Sequence, residues 1–309
     1  MQRILTITYS KDATVDYMIK KYSSECMWYR LDVDRIQDYR INISSTGVRI
    51  ANNEFDIHGN DINAVYYRKV AYPDLSLYEP ALHSLMQREI MAVVEGLAES
   101  LGSIALTRPS ILRRSENKLV QLNLAHRIGF RIPESLITND NKSALHFIKQ
   151  DPAIVKPLAT GRVKRGDTEW ILQTNQVDQT IPIEGLEISP SYFQKYIPKV
   201  NGEYRVTFVG DDVYTVRINS NNPVDWRKKG SLNVYSVTDI PKQLLFQCQA
   251  LMKELSLEFA AFDFIHNGEE FVFLEANPNG QWLWLEQILK IPISQSILKV
   301  LQKGTTAHV

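Results

Sequence analysis

The amino-acid sequence predicts a mixed α/β fold. Three observations predict it: an apolar strand followed at once by an amphipathic helix at the N-terminus, strand-like runs set apart by Asn, Asp and Gly along the chain, and helical apolar periodicity between them. The 309 residues amount to about two domains of ordinary size, and an apolar content of 44% is enough to build a real core. Pro109 and the basic turn ILRRSENK mark a first boundary, and the strand-rich composition of the last third marks another, giving segments 1–110, 111–185 and 186–309.

Taken in order, Ile4, Leu5 and Ile7 make the first strand, and Val15, Met18 and Ile19 fall on one side of a helix over residues 12–22. Strand-like runs follow at 27–31, 41–43, 48–50 and 64–67. Over residues 78–101 the apolar positions Leu82, Leu85, Met86, Ile90, Val93, Val94 and Leu97 recur at helical spacing, and Gly102 stops them. That stripe suits a core face or the seam of a homodimer, the commonest closed assembly, and a core role is expected. A helix over 115–128 closes at Gly129; a strand at SLIT, a helix over 142–149 capped by Asn139 or Asn141, and a strand ending at Lys156 before Pro157 come next. The polar stretch ATGRVKRGD, 159–167, reads as a mobile loop. Strands are expected at 192–197, 204–209 and 213–218, a helix at 242–255, two strands about Asn267-Gly268, and a last helix over 285–301.

Composition excludes several classes of function. Thirty-five basic residues against 35 acidic ones leave no overall field to gather nucleic acid. The two cysteines, Cys26 and Cys248, lie in no metal or disulfide spacing, and no run approaches the roughly 18 apolar residues that span a bilayer. A cytoplasmic protein with no nucleic-acid or membrane partner is expected. The six histidines share no spacing with a Ser or Asp that would make a hydrolytic set.

The segment FAAFDFIHNGEEFVFLEANPNG carries the chemistry, because two apolar strands meet at Asn-Gly, a strong hairpin signal. Period two puts Phe271, Phe273, Glu275 and Asn277 on one face, with Val272, Leu274 and Ala276 opposite. A two-residue turn would pair Asp263 with Val272 and send it to the wrong face; a three-residue loop, His266-Asn267-Gly268, would pair it with Phe271 and bring it to the same side as Glu275 and Asn277, and this loop is predicted. Carboxylates crowded among apolar neighbours repel unless a cation compensates them, and two carboxylates with an amide oxygen suit Mg²⁺. By spacing alone, rim charges of an ordinary hairpin are an equal reading.

A metal that binds phosphate needs cationic partners, for which Lys118, in SENKLVQLNLAHRIGFRIP, and Lys156, in AIVKP, are candidates, and here residues 115–280 resemble the ATP-grasp ligases. The match includes the helix with an early lysine, the Gly-x-x-x-Pro turn, the strand ending Val-Lys-Pro, and the run YFQKYIPKVNGEYR. The resemblance implies a pre-ATP-grasp α/β domain, then central and C-terminal ATP-grasp domains with nucleotide between them. It further implies that Lys118 and Lys156 contact phosphates and that the hinge Gln194, Lys195, Tyr196 and Ile197 holds adenine. Glu203 would lie near the ribose or metal, Arg205 and Arg217 would stabilise the transferred phosphate, and Asp263, Glu275 and Asn277 would bind Mg²⁺. Where many members carry a glycine-rich phosphate loop, this chain has only Gly161 and Gly166, so Arg162, Lys164 and Arg165 supply charge there or form an ordinary basic loop.

NPVDWRKKG, ANPNGQWLWLE and VYYRK are similar to the graspetide synthetases, the microviridin-type peptide macrocyclases of the ATP-grasp group. That likeness implies a ribosomal precursor peptide, leader plus acidic core, whose Asp or Glu side chains are joined to Thr, Ser or Lys as ω-esters or ω-amides. Arg68, Asp225, Trp226 and Arg227 are the expected substrate contacts, with Arg227 and Arg217 flanking the activated acid; Trp226 as a packing residue is an equal reading. Trp282 and Trp284 are expected in the core or a groove wall. Two rivals remain: a ligase adding a free amino acid to a peptide or protein terminus, and a non-catalytic binder of peptide or nucleotide.

Overall fold

The computed structural model describes residues 1–159, 162–165, 168–171, 174–177 and 184–303, the side chains of 162–165 and 168–171 excepted. The first domain runs β1 (Gln2–Thr8), α1 (Ala13–Lys21), β2 (Cys26–Asp32), β3 (Arg40–Ser44), β4 (Gly47–Ala51), β5 (Asp56–His58), β6 (Ala64–Tyr67), α2 (Pro80–Ser100) and β7 (Ile104–Leu106). Strands β2-β1-β6-β7 form a parallel sheet, while β3-β4-β5 form a small antiparallel one. Asp12 caps α1 by accepting from Thr14 N and Val15 N. Leu5, Ile7 and Val65 in the sheet bury against Val94 and Leu97 of α2. The core role expected for the α2 stripe holds only for its second half, since Leu82 and Leu85 are 44% and 47% exposed.

Two helices follow, α3 (Pro109–Glu116) and α4 (Lys118–Ile128). The single helix expected over 115–128 is thus interrupted: Pro109 opens a helix, where its missing N–H costs nothing, and Asn117 caps a second by accepting from Leu119 N and Val120 N. Gly129 ends α4 in the left-handed region, φ 88°. The central unit comprises β8 (Ser135–Thr138), α5 (Asn141–Gln150), β9 (Ala153–Lys156), β10 (Arg162–Arg165), β11 (Thr168–Ile171), β12 (Asn175–Gln176) and β13 (Ser191–Lys195). The cap of α5 is Asp140, not Asn139 or Asn141. Within the stretch read as a mobile loop, β10 pairs with β11 as an antiparallel hairpin; Gly161 and Gly166 and the side chains of Arg162, Lys164 and Arg165 lie outside the described residues. β13 lies beyond the boundary expected at 185, yet pairs with both β8 and β9 and so belongs to the central sheet.

The last unit contains β14 (Glu203–Val209), β15 (Asp212–Ser220), β16 (Asn233–Val237), α6 (Lys242–Glu254), β17 (Phe259–His266), β18 (Phe271–Asn277), α7 (Leu283–Leu289) and α8 (Ile293–Gln302). Its antiparallel sheet has the order β16-β15-β14-β17-β18. One face buries Val206, Phe208, Phe262 and Phe264 against α4 and α6; the other packs Val209, Val216 and Phe259 with α8 and the first domain. The expected final helix is two helices, because Pro292 cannot continue the first and Lys290 turns left-handed, φ 59°. No described helix is long and apolar enough to cross a membrane.

Candidate active site

A bulge in β18 creates the site. His266 pairs with Phe271, Ile265 with Val272 and Phe264 with Phe273, so the hairpin loop holds four residues, 267–270, rather than the expected three. Uninterrupted, that register would set Asp263 against Leu274. The pairing shifts by one residue between Asp263 and Phe264, and Asp263 lies opposite Glu275 instead. The bulge also inverts the expected faces: Phe271 and Phe273 join Ala276 in the core, and only Glu275 and Asn277 share the face of Asp263. Across the neighbouring strand Asp263 pairs with Arg205, which makes a row Arg205, Asp263, Glu275 over three strands.

Arg205 Nη1 donates to both oxygens of Asp263, at 2.9 and 3.1 Å, and Arg227 Nη2 reaches Asp263 Oδ2 at 3.3 Å. Asn277 Nδ2 donates to Asp263 Oδ2 at 2.9 Å and to Glu275 Oε1 at 3.2 Å. Lys118, in the first turn of α4, donates from Nζ to Glu275 Oε2 at 2.5 Å. Burial would raise the Glu275 carboxyl, but Lys118 and Lys156 beside it prevail and hold it below the usual carboxylate range. Burial in turn pulls the Lys156 ammonium down to about 8, partly countered by Glu275. A Cβ at Gly280 would lie 2.8 Å from Arg205 Nη2, so only glycine lets the segment after Asn277 pass that guanidinium.

The segment expected as the hinge, residues 194–197, runs off the end of β13. Gln194 and Lys195 are buried, with Gln194 Nε2 bonded to Tyr192 Oη at 2.8 Å and Lys195 Nζ to Phe147 O at 3.2 Å and Asp151 at 3.1 Å. Tyr196 N already donates to Pro152 O, and Ile197 follows in the open chain. Glu203 stands on the Asp263 face, pushed up by burial, and accepts from Lys199 Nζ at 2.5 Å. Arg217 does not join the group. It pairs with Tyr204 while Arg205 pairs with Val216, so the two arginines project from opposite faces of the sheet.

Among the expected substrate contacts, Arg227 lies with its Cζ 4.6 Å from the Trp226 ring and close to Asp263. Asp225 Oδ1 accepts from Arg227 N at 3.0 Å and so shapes that turn. Trp226, Tyr235 and Trp284 form an aromatic wall, with centroids 5.0 to 6.2 Å apart. Arg68 is only 2% exposed; its Nη1 donates to Asn279 Oδ1 at 2.8 Å and its Nη2 to Gln281 Oε1 at 3.3 Å, while its Nε has no hydrogen-bond partner among the described residues. Arg68, Trp226, Arg227 and Trp284 border a cavity of about 1120 Å³ between the first domain, α3 and α4, and the segment after β18. Among the described residues its walls carry Arg68, Lys69, Arg113, Lys118, Arg205 and Arg227 against Glu95 and Glu116.

Sequence reasoning missed Lys199 and Gln121. Lys199 ties Glu203 to Val224 O at 2.8 Å, and no spacing signals a bond between two loops. Among the described residues no three His, Cys, Asp or Glu side chains gather as a metal centre. The donor set is two carboxylates and an amide, which presents its oxygen when a cation rather than a carboxylate faces it. That set fits Mg²⁺, which keeps waters and shares phosphate oxygens.

Comparison with known proteins accords with this geometry. The family model described as the MvdD pre-ATP grasp domain matches residues 3–111, and the RimK-like ATP-grasp domain matches residues 115–301. Among solved structures, a RiPP-associated ATP-grasp ligase of Chryseobacterium gregarium, in complex with ADP and a leader and core peptide, is 27% identical over 98% of this chain and 97% of its own, TM-score 0.86. The macrocyclase MdnC of Microcystis aeruginosa MRC, bound with precursor peptide MdnA, is 26% identical over 98% of this chain and 100% of its own, TM-score 0.88. MdnB, a macrocyclase of the same organism, is 26% identical over 97% and 99%, TM-score 0.80. No curated protein matches the chain. The ATP-grasp match alone spans more than half of the residues, and with the N-terminal match it shows that this chain belongs to the RimK-like ATP-grasp ligases carrying an MvdD-type pre-ATP-grasp domain.

Proposed function

We propose that the protein closes rings in a ribosomally made precursor peptide with ATP and Mg²⁺, activating Asp or Glu side chains as acyl phosphates and joining them to Thr or Ser hydroxyls or Lys amines. The observation that carries this reading is the row Arg205, Asp263, Glu275, with Lys118 and Lys156 beside Glu275, next to a cavity of about 1120 Å³ that Arg205, Asn277, Lys118 and Arg227 line and that has room for a peptide. Its support from likeness is that the Chryseobacterium ligase and MdnC were each solved with their peptides.

Asp263, Glu275 and Asn277 would hold Mg²⁺, which when bound neutralises charge on the phosphate oxygens. Lys118 and Lys156, both now drawn to Glu275, are the cations placed to meet those phosphates. Glu203 and the hinge 194–197 take the ribose and adenine. Arg227, stacked on Trp226 at the cavity, grips the substrate carboxylate, and Arg205, bonded to both oxygens of Asp263, fixes the orientation of that carboxylate. A carboxylate oxygen attacks the γ-phosphorus as its bond to the β-phosphate oxygen breaks, and ADP leaves. The hydroxyl or amine then attacks the acyl carbon and loses its proton as inorganic phosphate departs. Among the described residues no histidine lines the cavity.

Cys26 and Cys248 are free and buried, as suits the reducing cytoplasm. A homodimer through the exposed half of α2 belongs to the same reading, and light scattering that shows a monomer at every concentration would remove it. The reaction itself is tested with purified protein, ATP, Mg²⁺ and a small peptide encoded beside the gene that carries repeated Thr and Glu or Asp. Loss of one water and release of one phosphate per bond is expected. A gain of one amino-acid residue in mass would point to a free amino acid as acceptor instead, and an unchanged mass with retained ADP binding to a binder.

A further inference from the structure

β18 is the edge strand of its sheet, so its outward N–H and C=O groups have no strand to pair with. At Ala276, between Glu275 and Asn277, those groups are buried, and an unpaired buried pair is costly. Gln121, itself 2% exposed, supplies both partners: Ala276 N donates to its Oε1 at 3.0 Å, and its Nε2 donates to Ala276 O at 2.7 Å. Nε2 also donates to Ser115 O at 2.6 Å, so the two carbonyls on one side fix which way the amide points. Gln121 therefore stands in for a neighbouring strand at one residue. Three positions earlier on the same face of α4, Lys118 reaches Glu275.

We propose that Gln121 is a positioning residue for the phosphate-transfer site, setting the Glu275 and Asn277 ligand pair at a fixed spacing from Lys118. This rests on the assignment of Mg²⁺ to Glu275 and Asn277. Only Gln offers one donor and one acceptor at that reach; Met offers neither, and Glu keeps the acceptor but loses the donor.

The test measures ADP affinity by calorimetry with Mg²⁺ and with chelator, for the wild type, Gln121→Met, Gln121→Glu and a control, Leu124→Ala, in the core of the same helix. Exchange of the Ala276 amide hydrogen is followed in each. Gln121→Met is expected to cut the Mg²⁺-dependent gain in affinity roughly tenfold, leave chelator affinity unchanged and speed Ala276 exchange. Leu124→Ala, although destabilising, is expected to keep the gain. A gain retained in both Gln121 variants overturns the role of Gln121, as does an equal loss with and without Mg²⁺. A wild type whose ADP affinity ignores Mg²⁺ overturns the metal assignment and this proposal with it. Should Gln121→Met fail to fold, Gln121→Glu, which keeps one of the two Ala276 bonds, carries the same comparison.

Discussion

Replacing Glu275 by Gln leaves Lys118 and Lys156 facing a neutral amide. Because the Lys118 and Glu275 side chains are only 17% and 26% exposed, the lost charge-assisted bond is expected to cost about 2 kcal/mol in urea denaturation of the ligand-free protein. Cyclisation with ATP should fall on the order of 100-fold or more. If activity falls while stability stays, the Lys118 contact is incidental and only the metal role stands. That Asp263, Glu275 and Asn277 share one hairpin was legible in the sequence from Asn-Gly and the period of two, although by spacing alone they read equally as rim charges; their gathering depends on a bulge that the sequence does not show. Gln121 was not legible, since a glutamine in a helix carries no sign that it will pair with a strand 155 positions later. Arg217 was misplaced through parity: nothing in VYTVRI says whether it is Arg217 or Val216 that sits across from Arg205.

At the scale of elements, Glu286 of α7 joins the two ends of the chain. It accepts from Tyr17 and Lys21 of α1, each at 2.7 Å, and from Ser294 N and Oγ at 2.6 and 2.7 Å. Burial alone would raise its carboxyl, but Lys21 and the Ser294 donors outweigh burial and lower it. For a lowered carboxyl, the stabilisation is complete above its ordinary value near 4.5 and vanishes as the pH falls through the depressed one. Glu286→Gln is expected to lose about 2 kcal/mol at pH 7, chiefly from the buried Ser294 bonds because Lys21 is half in solvent. The deficit against wild type should hold constant down to pH 5 and shrink below about 4.5, read from denaturation midpoints. A deficit independent of pH would show that the charge on Glu286 contributes nothing. Most elements could be read from period and caps, and the misreadings share a cause. The split at Asn117, the cap at Asp140 and the bulge at Leu274 are each decided by one residue's bonding partner, which periodicity averages away.

For the whole molecule, equal numbers of positive and negative residues conceal a cavity lined, among the described residues, by six cationic side chains and two acidic ones. Binding of an acidic peptide should therefore weaken as salt is raised, although the net charge is zero. Arg227→Ala should raise the peptide KM about tenfold, the equivalent of one charge-assisted bond, and leave the ATP KM nearly unchanged. Equal shifts in both constants would move Arg227 from the peptide to the nucleotide. The second boundary, at 185, was the least legible feature of the organisation, because β13 joins its sheet through pairing with β8 and β9 and not through anything in its own composition. The wall of Trp226, Tyr235 and Trp284 has one more consequence. Two indoles stand at the mouth of the cavity while Trp282 is sealed in the core, so the molecule carries its own optical reporter. A peptide that displaces water from that wall will change the native emission, and occupancy can be followed without a label.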